Sequence, residues 1–315
     1  MGGSLRFIPF LLLGLALITA PFVLSGWVLF LLTVAGAKAL AVLGVVLLLR
    51  AKLLTFGHAL YYAAGAYAAG LGVKYLGLHN GFALIGLAFV AGLGVSALLG
   101  LLVIRYRGVY FALLNLAFSM VLYGILLKFY SVTGGTDGLA FPAPTFGPIG
   151  LSEASLRAQL YELTLFLGSL LFYLTYRFFA SPAGYVLVAI RDNEVRVAYM
   201  GISVNAAVYL GYIIAGGLAG VAGVLVGLSV GHITPDLAFW SQSGEFVFVA
   251  ILGGVGSVFA PVVGSVLFEF VRNYAFELSP YTWQMTLGAA LLLIIFFLPG
   301  GVWSLVGLTR TRSGP

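Results

Sequence analysis

The run SPAGYVLVAIRDNEVRVAYMGISVN at 181–205 leads directly into AAVYLGYIIAGGLAGVAGVLVGLSV at 206–230, and the contrast between the two decides the fold. The second stretch carries no charge and is long enough to cross a bilayer core as a helix, which takes about 20 residues. The first is polar: Arg191, Asp192, Glu194 and Arg196 fall together in it, although the whole chain has only 15 basic and 9 acidic residues. Ser181 with Pro182 reads as an N-cap followed by a first-turn proline, and Gly201 as a stop. A short amphipathic helix held on the water side between two spans contributes nothing to crossing the bilayer. Its expected use is to be gripped by another protein, so the chain reads as the membrane part of a larger assembly.

Composition agrees with the second stretch. Hydrophobic residues make up 62% of the 315 residues and charged residues 8%, and the mean hydropathy is +1.13, a balance foreign to soluble domains. There is no cysteine, which excludes a disulfide framework and a thiolate metal site. The formal charge of +6 does not point to nucleic acid, because the cations sit at span ends and not in a cluster. The first 25 residues imitate a signal peptide, with Arg6 before an apolar run. No Ala-x-Ala precedes Pro21 and another apolar run follows at once, so this stretch is read as a first span.

The expected fold is an all-α polytopic membrane protein, a single transmembrane domain over 1–315. About eight full spans are predicted, near 7–24, 27–49, 53–73, 82–104, 109–130, 160–179, 206–230 and 281–299. The stretch 244–275 is interrupted by Gly253-Gly254, Gly256, Pro261 and Gly264, which fits a re-entrant half-helix and a return helix. With the N-terminus inside, the inner ends collect Arg6, Arg50, Lys52, Arg105, Arg107, Arg177, Arg191, Arg196, Arg310 and Arg312. The outer side has Lys74, Lys128, Arg157 and Arg272. That bias places both termini and the segment 180–205 in the cytoplasm and the loop 131–158 outside.

Much of the glycine, 43 residues in all, is spaced for close helix contact. Ala219, Gly223, Gly227 and Gly231 recur every fourth residue, as do Gly256, Ala260 and Gly264, while Ala59, Ala63, Ala66 and Gly70 make a further stripe of small residues. Tight bundle packing is the first reading of each stripe, with a subunit contact as the lesser alternative for one of them. Enzyme signatures are nearly absent. No phosphate-binding G-x-x-x-x-G-K-[ST] occurs. Gly227-Leu228-Ser229-Val230-Gly231 matches a G-x-S-x-G elbow, with His232 next, but an elbow requires an α/β sheet.

Polar residues inside spans are more informative. Asn115, Ser119 and Tyr123 lie on one face of the 109–130 helix, which either lines a solute path or hydrogen-bonds a neighbouring helix. His58 follows Thr55-Phe56-Gly57 at a helix start, where it reads as a capping or interhelical group before a proton shuttle. Lys38 lies mid-span, and an intramembrane lysine is functional by default and calls for a polar partner. Tyr110, Phe111 and Phe118 with Asn115 and Ser119 suggest an aromatic, weakly polar path. No span shows a pair of acids for an amine, which points to apolar amino acids.

Taken together the motifs resemble the permease subunits of branched-chain amino acid ABC importers, of the LivM type. The resemblance rests on Leu54-Thr55-Phe56-Gly57-His58, Gly65-Ala66-Tyr67, Arg107-Gly108-Val109-Tyr110-Phe111-Ala112 and Thr133-Gly134-Gly135-Thr136-Asp137-Gly138-Leu139. It continues through Ser181-Pro182-Ala183-Gly184, Ala189-Ile190-Arg191-Asp192-Asn193-Glu194, Gly201-Ile202, Thr234-Pro235-Asp236 and Leu252-Gly253-Gly254-Val255-Gly256-Ser257. Pro261-Val262-Val263-Gly264, Trp283-Gln284 and Leu298-Pro299-Gly300-Gly301 complete it, in order over roughly residues 25 to 301.

The resemblance implies alternating access in the inner or plasma membrane, surrounded by lipid. The implied partners are a second permease of the LivH type, two ATP-binding subunits, and a periplasmic or surface binding protein. It implies no enzyme activity and no cofactor or metal in this chain, ATP being bound by the partners. The segment 180–205 then corresponds to the coupling loop, with Ala189, Arg191, Asp192, Asn193, Glu194 and Gly201 facing the ATPase. His58, Tyr110, Phe111, Asn115, Ser119 and Lys38 are the candidate path residues. The alternatives are a sister permease for urea, short amides or a sugar, and a stand-alone secondary transporter. The chain departs from the family's pattern at Val195-Arg196-Val197, where small residues are usual, at Asn115, often threonine, and at Lys38.

Overall fold

The computed structural model describes residue 17 and residues 19–146, 153–298 and 300–308. Successive helices are α1 (Gly26–Leu49), α2 (His58–Leu76), α3 (Gly81–Val103), α4 (Gly108–Lys128), α5 (Glu153–Phe179), α6 (Pro182–Tyr199), α7 (Val204–Val230), α8 (Trp240–Gly253), α9 (Ala260–Leu278), α10 (Trp283–Phe297) and α11 (Trp303–Leu308). The ends are set by local chemistry. Asn80 caps α3 by accepting from the Phe82 and Ala83 amides at 2.9 and 3.2 Å. Gly77, at φ +61°, and Gly231, at φ +76°, end α2 and α7 in the left-handed region that glycine enters without penalty.

Helix α7 is the axis of the bundle and packs on α1, α2 and α3. Most of α1 is also enclosed, by α7, α5, α9 and α8. Helices α3, α4 and α5 lie outside and turn broad apolar faces outward. Small residues bring the central helices together: a Cβ on Gly65 of α2 would strike the backbone of Gly220 in α7, and a Cβ on Gly223 the carbonyl of Tyr62. Tight bundle packing is therefore the observed use of these glycines. Ser229 bonds back to the Leu225 carbonyl at 2.7 Å inside α7, so the G-x-S-x-G match is a helix end and not an elbow.

Among the described residues, five helices are long and apolar enough to cross a membrane: Gly26–Leu49, Gly81–Val103, Gly108–Lys128, Ser155–Phe179 and Val204–Val230. This is fewer than the eight full spans expected. Helix α2 falls below that apolarity because Tyr61, Tyr62, Tyr67 and Lys74 interrupt it, and α10 has only 15 residues. Most of the predicted span 7–24 lies outside the described residues. The predicted break in 244–275 falls between α8 and α9, where Gly254 takes φ +98°. A Cβ there would press on the Gly300 carbonyl, and the Val302 amide donates to the Leu252 carbonyl at 2.8 Å, so the 300–302 turn is laid against the break.

At the other end from α6, Gly134 at φ +77° and Gly138 at φ +70° shape the turn before β1 (Leu139–Ala140), which pairs antiparallel with β2 (His232–Ile233). A 3-10 turn at Pro235–Ala238 follows and leads into α8. This small ribbon leaves the chain all-α in class, but it ties the 131–141 loop to the end of α7.

Candidate solute path and coupling surface

The buried residues of α4 are Phe111, Ala112, Asn115, Ser119 and Leu126, most of them on one stripe three or four residues apart. Asn115 Nδ2 donates to the Phe111 carbonyl at 2.8 Å, while its Oδ1 accepts from the Tyr212 hydroxyl of α7. The Tyr212 and Tyr61 hydroxyls are bonded in turn, linking α4, α7 and α2 through one buried polar chain. Ser119 donates to the Ala238 carbonyl at 2.8 Å. Phe111 meets Tyr212 edge-on at 5.9 Å, and His58 meets Tyr61 and Phe246 edge-on at 6.0 and 6.5 Å. Gly57 is needed before His58, because a Cβ there would overlap the Asn115 backbone.

The structure thus brings together His58, Phe111 and Asn115, with Ser119 one turn further along α4. All four are at most 1% exposed, so the face is closed; Asn115 and Ser119 are hydrogen-bonded within it, whereas neither ring nitrogen of His58 has a hydrogen-bond partner among the described residues. Tyr110 is not part of this group: it is 75% exposed on the opposite side of α4, because one residue turns a helix by about 100°. Tyr61 and Tyr212, which complete the network, were missed. Their signal was present as tyrosines inside otherwise apolar helices, where a hydroxyl needs a partner.

Lys38 belongs to a separate cluster. Its Nζ lies 2.5 Å from Glu245 Oε1 and 2.6 Å from Glu269 Oε1, joining α1 to α8 and α9. Arg272 Nη1 stands 3.8 and 3.6 Å from the same two oxygens, and its guanidinium lies 5.7 Å from the centre of the Trp283 ring. No single one of these helices supplies both acids, but two helices together bring a pair to one lysine. Each helix supplies one glutamate, and neither is conspicuous alone. Arg272, taken as a flanking cation of the outer side, is part of this balanced cluster of two acids and two bases. Three of the four side chains are largely withdrawn from solvent, a placement stable only because each charge is paired.

The polar helix α6 begins as read from the sequence: Ser181 Oγ accepts from the Gly184 amide and Pro182 occupies the first turn. Gly201, at φ +78°, lies just beyond its end. An unforeseen kink divides it at Asn193 (φ −160°, ψ 98°), whose side chain accepts from the Arg196 amide at 2.9 Å and so caps a second short helix. Arg191 and Asp192 are exposed and pair with each other at 3.4 Å. Ala189 is half-buried. Glu194 faces the chain's own body, 3.0 Å from Arg107. Val195, Tyr199 and Met200 are exposed apolar residues beside the charges. Arg50, whose guanidinium lies 3.7 Å above the Phe179 ring, has its pKa lowered by burial and then by Arg191. Of the basic residues assigned to the inner ends, Arg50 and Arg107 therefore lie beside α6, and Arg6, Arg310 and Arg312 lie outside the described residues.

A bundle of apolar helices with a buried charge cluster and a capped, kinked polar helix at one end defines the class, a polytopic membrane protein. The chain belongs to the family described as branched-chain amino acid transport system / permease component, which it matches over residues 27–296. It is 28% identical over 282 residues to the high-affinity branched-chain amino acid transport system permease protein LivM of Salmonella typhimurium. The identity to Escherichia coli LivM is 28% over 284 residues. Each alignment takes in 82% of this chain and 65% of the relative, so the chain spans about two-thirds of the length of these proteins. LivH of Escherichia coli is 25% identical over 267 residues, covering 79% of this chain and 85% of LivH. No solved structure matches the chain.

Proposed function

We propose that this chain is a membrane-spanning permease subunit of an ATP-driven importer for branched-chain or other apolar amino acids. The observation that carries the reading is the family match across 27–296, and the capped polar helix α6 supports it independently. In this reading α6 docks on an ATP-binding subunit in the cytoplasm through Arg191, Asp192 and the apolar Val195, Tyr199 and Met200. A LivH-type permease, two ATPases and an external binding protein complete the assembly, and both termini are cytoplasmic. The bonded chain Asn115, Tyr212, Tyr61 is the closed state of the path, and ATP-driven movement of α6 opens it by separating α4 from α7.

The test is reconstitution of the chain with its partners in liposomes, followed by uptake of labelled leucine, isoleucine and valine. ATP-dependent uptake of these is the expected result. Movement of urea or a sugar alone overturns the amino acid assignment. Ion-gradient-driven uptake by the purified chain alone overturns the ATP-driven one.

A further inference from the structure

Arg107 stands in the short connection between α3 and α4, and its nitrogens reach three parts of the chain. Nε donates to both carboxylate oxygens of Glu194, at 3.1 and 3.0 Å. Nη2 donates to Asn205 Oδ1 at 2.9 Å, and Nη1 donates to the Ile104 carbonyl. Glu194 opens the second half of α6 just after the kink at Asn193, Asn205 lies in the first turn of α7, and Gly108 at φ +56° begins α4. One guanidinium therefore grips α6 and α7 from the foot of α4.

The pair is half-open to water, with the two side chains 27% and 40% exposed, so its charge attraction contributes little to stability. What the fork supplies is direction: a planar guanidinium fixes its partners where a lysine ammonium does not. We propose that Arg107 is the positioning residue that carries displacement of α6 into α4 and α7. These are the helices whose Asn115–Tyr212 bond closes the buried network. The exposed Arg191 and Asp192, paired with each other, lie ahead of the kink and open to a partner, while Glu194 lies behind it and is held by Arg107. This inference rests on the reading of α6 as the element that docks an ATPase.

The experiment compares Arg107→Gln, Arg107→Lys and Glu194→Gln with the unaltered chain in the reconstituted complex. It reads ATPase co-purification, ATP hydrolysis and leucine taken up per ATP. All three variants should retain the ATPase and hydrolyse ATP, while leucine moved per ATP falls about tenfold, within the range of a typical coupling between sites. Wild-type stoichiometry in Arg107→Lys and Arg107→Gln overturns the proposal, and so does loss of the ATPase from Glu194→Gln, which makes Glu194 a docking residue. If the unaltered chain itself retains no ATPase, it is the reading of α6 that fails. A second measurement needs no partner. Hydrogen–deuterium exchange on the chain alone should rise in Arg107→Gln at 194–199 and at the start of α4 and stay level at 183–191. Unchanged exchange in 194–199 overturns the mechanical link whatever the complex does.

Discussion

Lys38 and the Asn115 network make opposite demands on single side chains. Replacing Lys38 by Met leaves Glu245 and Glu269 sharing only the more distant Arg272, and breaking a buried pair costs about 3–5 kcal/mol. Because one cation remains, the expected loss is at the low end, read as a lower unfolding temperature in detergent. Adding Glu269→Gln to Lys38→Met restores balance and should recover part of it. An unchanged melting curve in Lys38→Met means that the cluster carries no stability. Tyr212→Phe deletes the donor to Asn115 Oδ1 and the contact to Tyr61 together. A buried acceptor left without its donor costs about 1–3 kcal/mol, so this variant should be less stable at full expression. Tyr110→Phe, on the exposed side of α4, should be neutral in the same assay.

Between elements, close approach of backbones decides the packing. A Cβ on Gly65 of α2 has no room against the Gly220 backbone of α7, and one on Gly220 none against the Ala88 carbonyl of α3, whereas Gly86 and Gly94 on the open side of α3 have no atom within 4 Å of such a Cβ. Gly65→Val is expected to force α2 from α7 and destabilise by about 1–3 kcal/mol or more, seen as aggregation on size exclusion and a lower melting point. Gly94→Ala should instead be neutral or stabilising by up to about 1 kcal/mol, since alanine is the better helix former. Equal effects at the two positions would falsify the contact between α2 and α7. On α6, Asp192→Lys alters an exposed charge ahead of the kink. It should weaken ATPase co-purification about tenfold or more if that charge is buried on docking, while leaving the melting point of the isolated chain unchanged.

For the molecule as a whole, α7 and α1 form the enclosed centre and α6 the exposed end. Amides near 34–48 and 211–228 are expected to exchange slowest, and those of 191–199 fastest among the helical residues, because exchange follows burial and local contact density. Slow exchange across α6 in the isolated chain refutes its description as an open docking element. What the sequence by itself determined is whatever depends on neighbours in the chain. The apolar runs, the Ser181 cap with Pro182, the stop at Gly201, the break after Gly253 and the face holding Asn115 and Ser119 follow from hydropathy, capping and helical period. Tertiary structure alone decided the rest. The glutamates that hold Lys38 come from helices more than 200 positions away in the chain. Glu194, which the family resemblance turns toward the ATPase, is claimed by Arg107 of a different connection. Tyr110 and Phe111 are adjacent, yet one is outward and the other fully buried. Ion pairing and burial depend on which helix faces lie together, and helix packing sets that through contacts that no local pattern records.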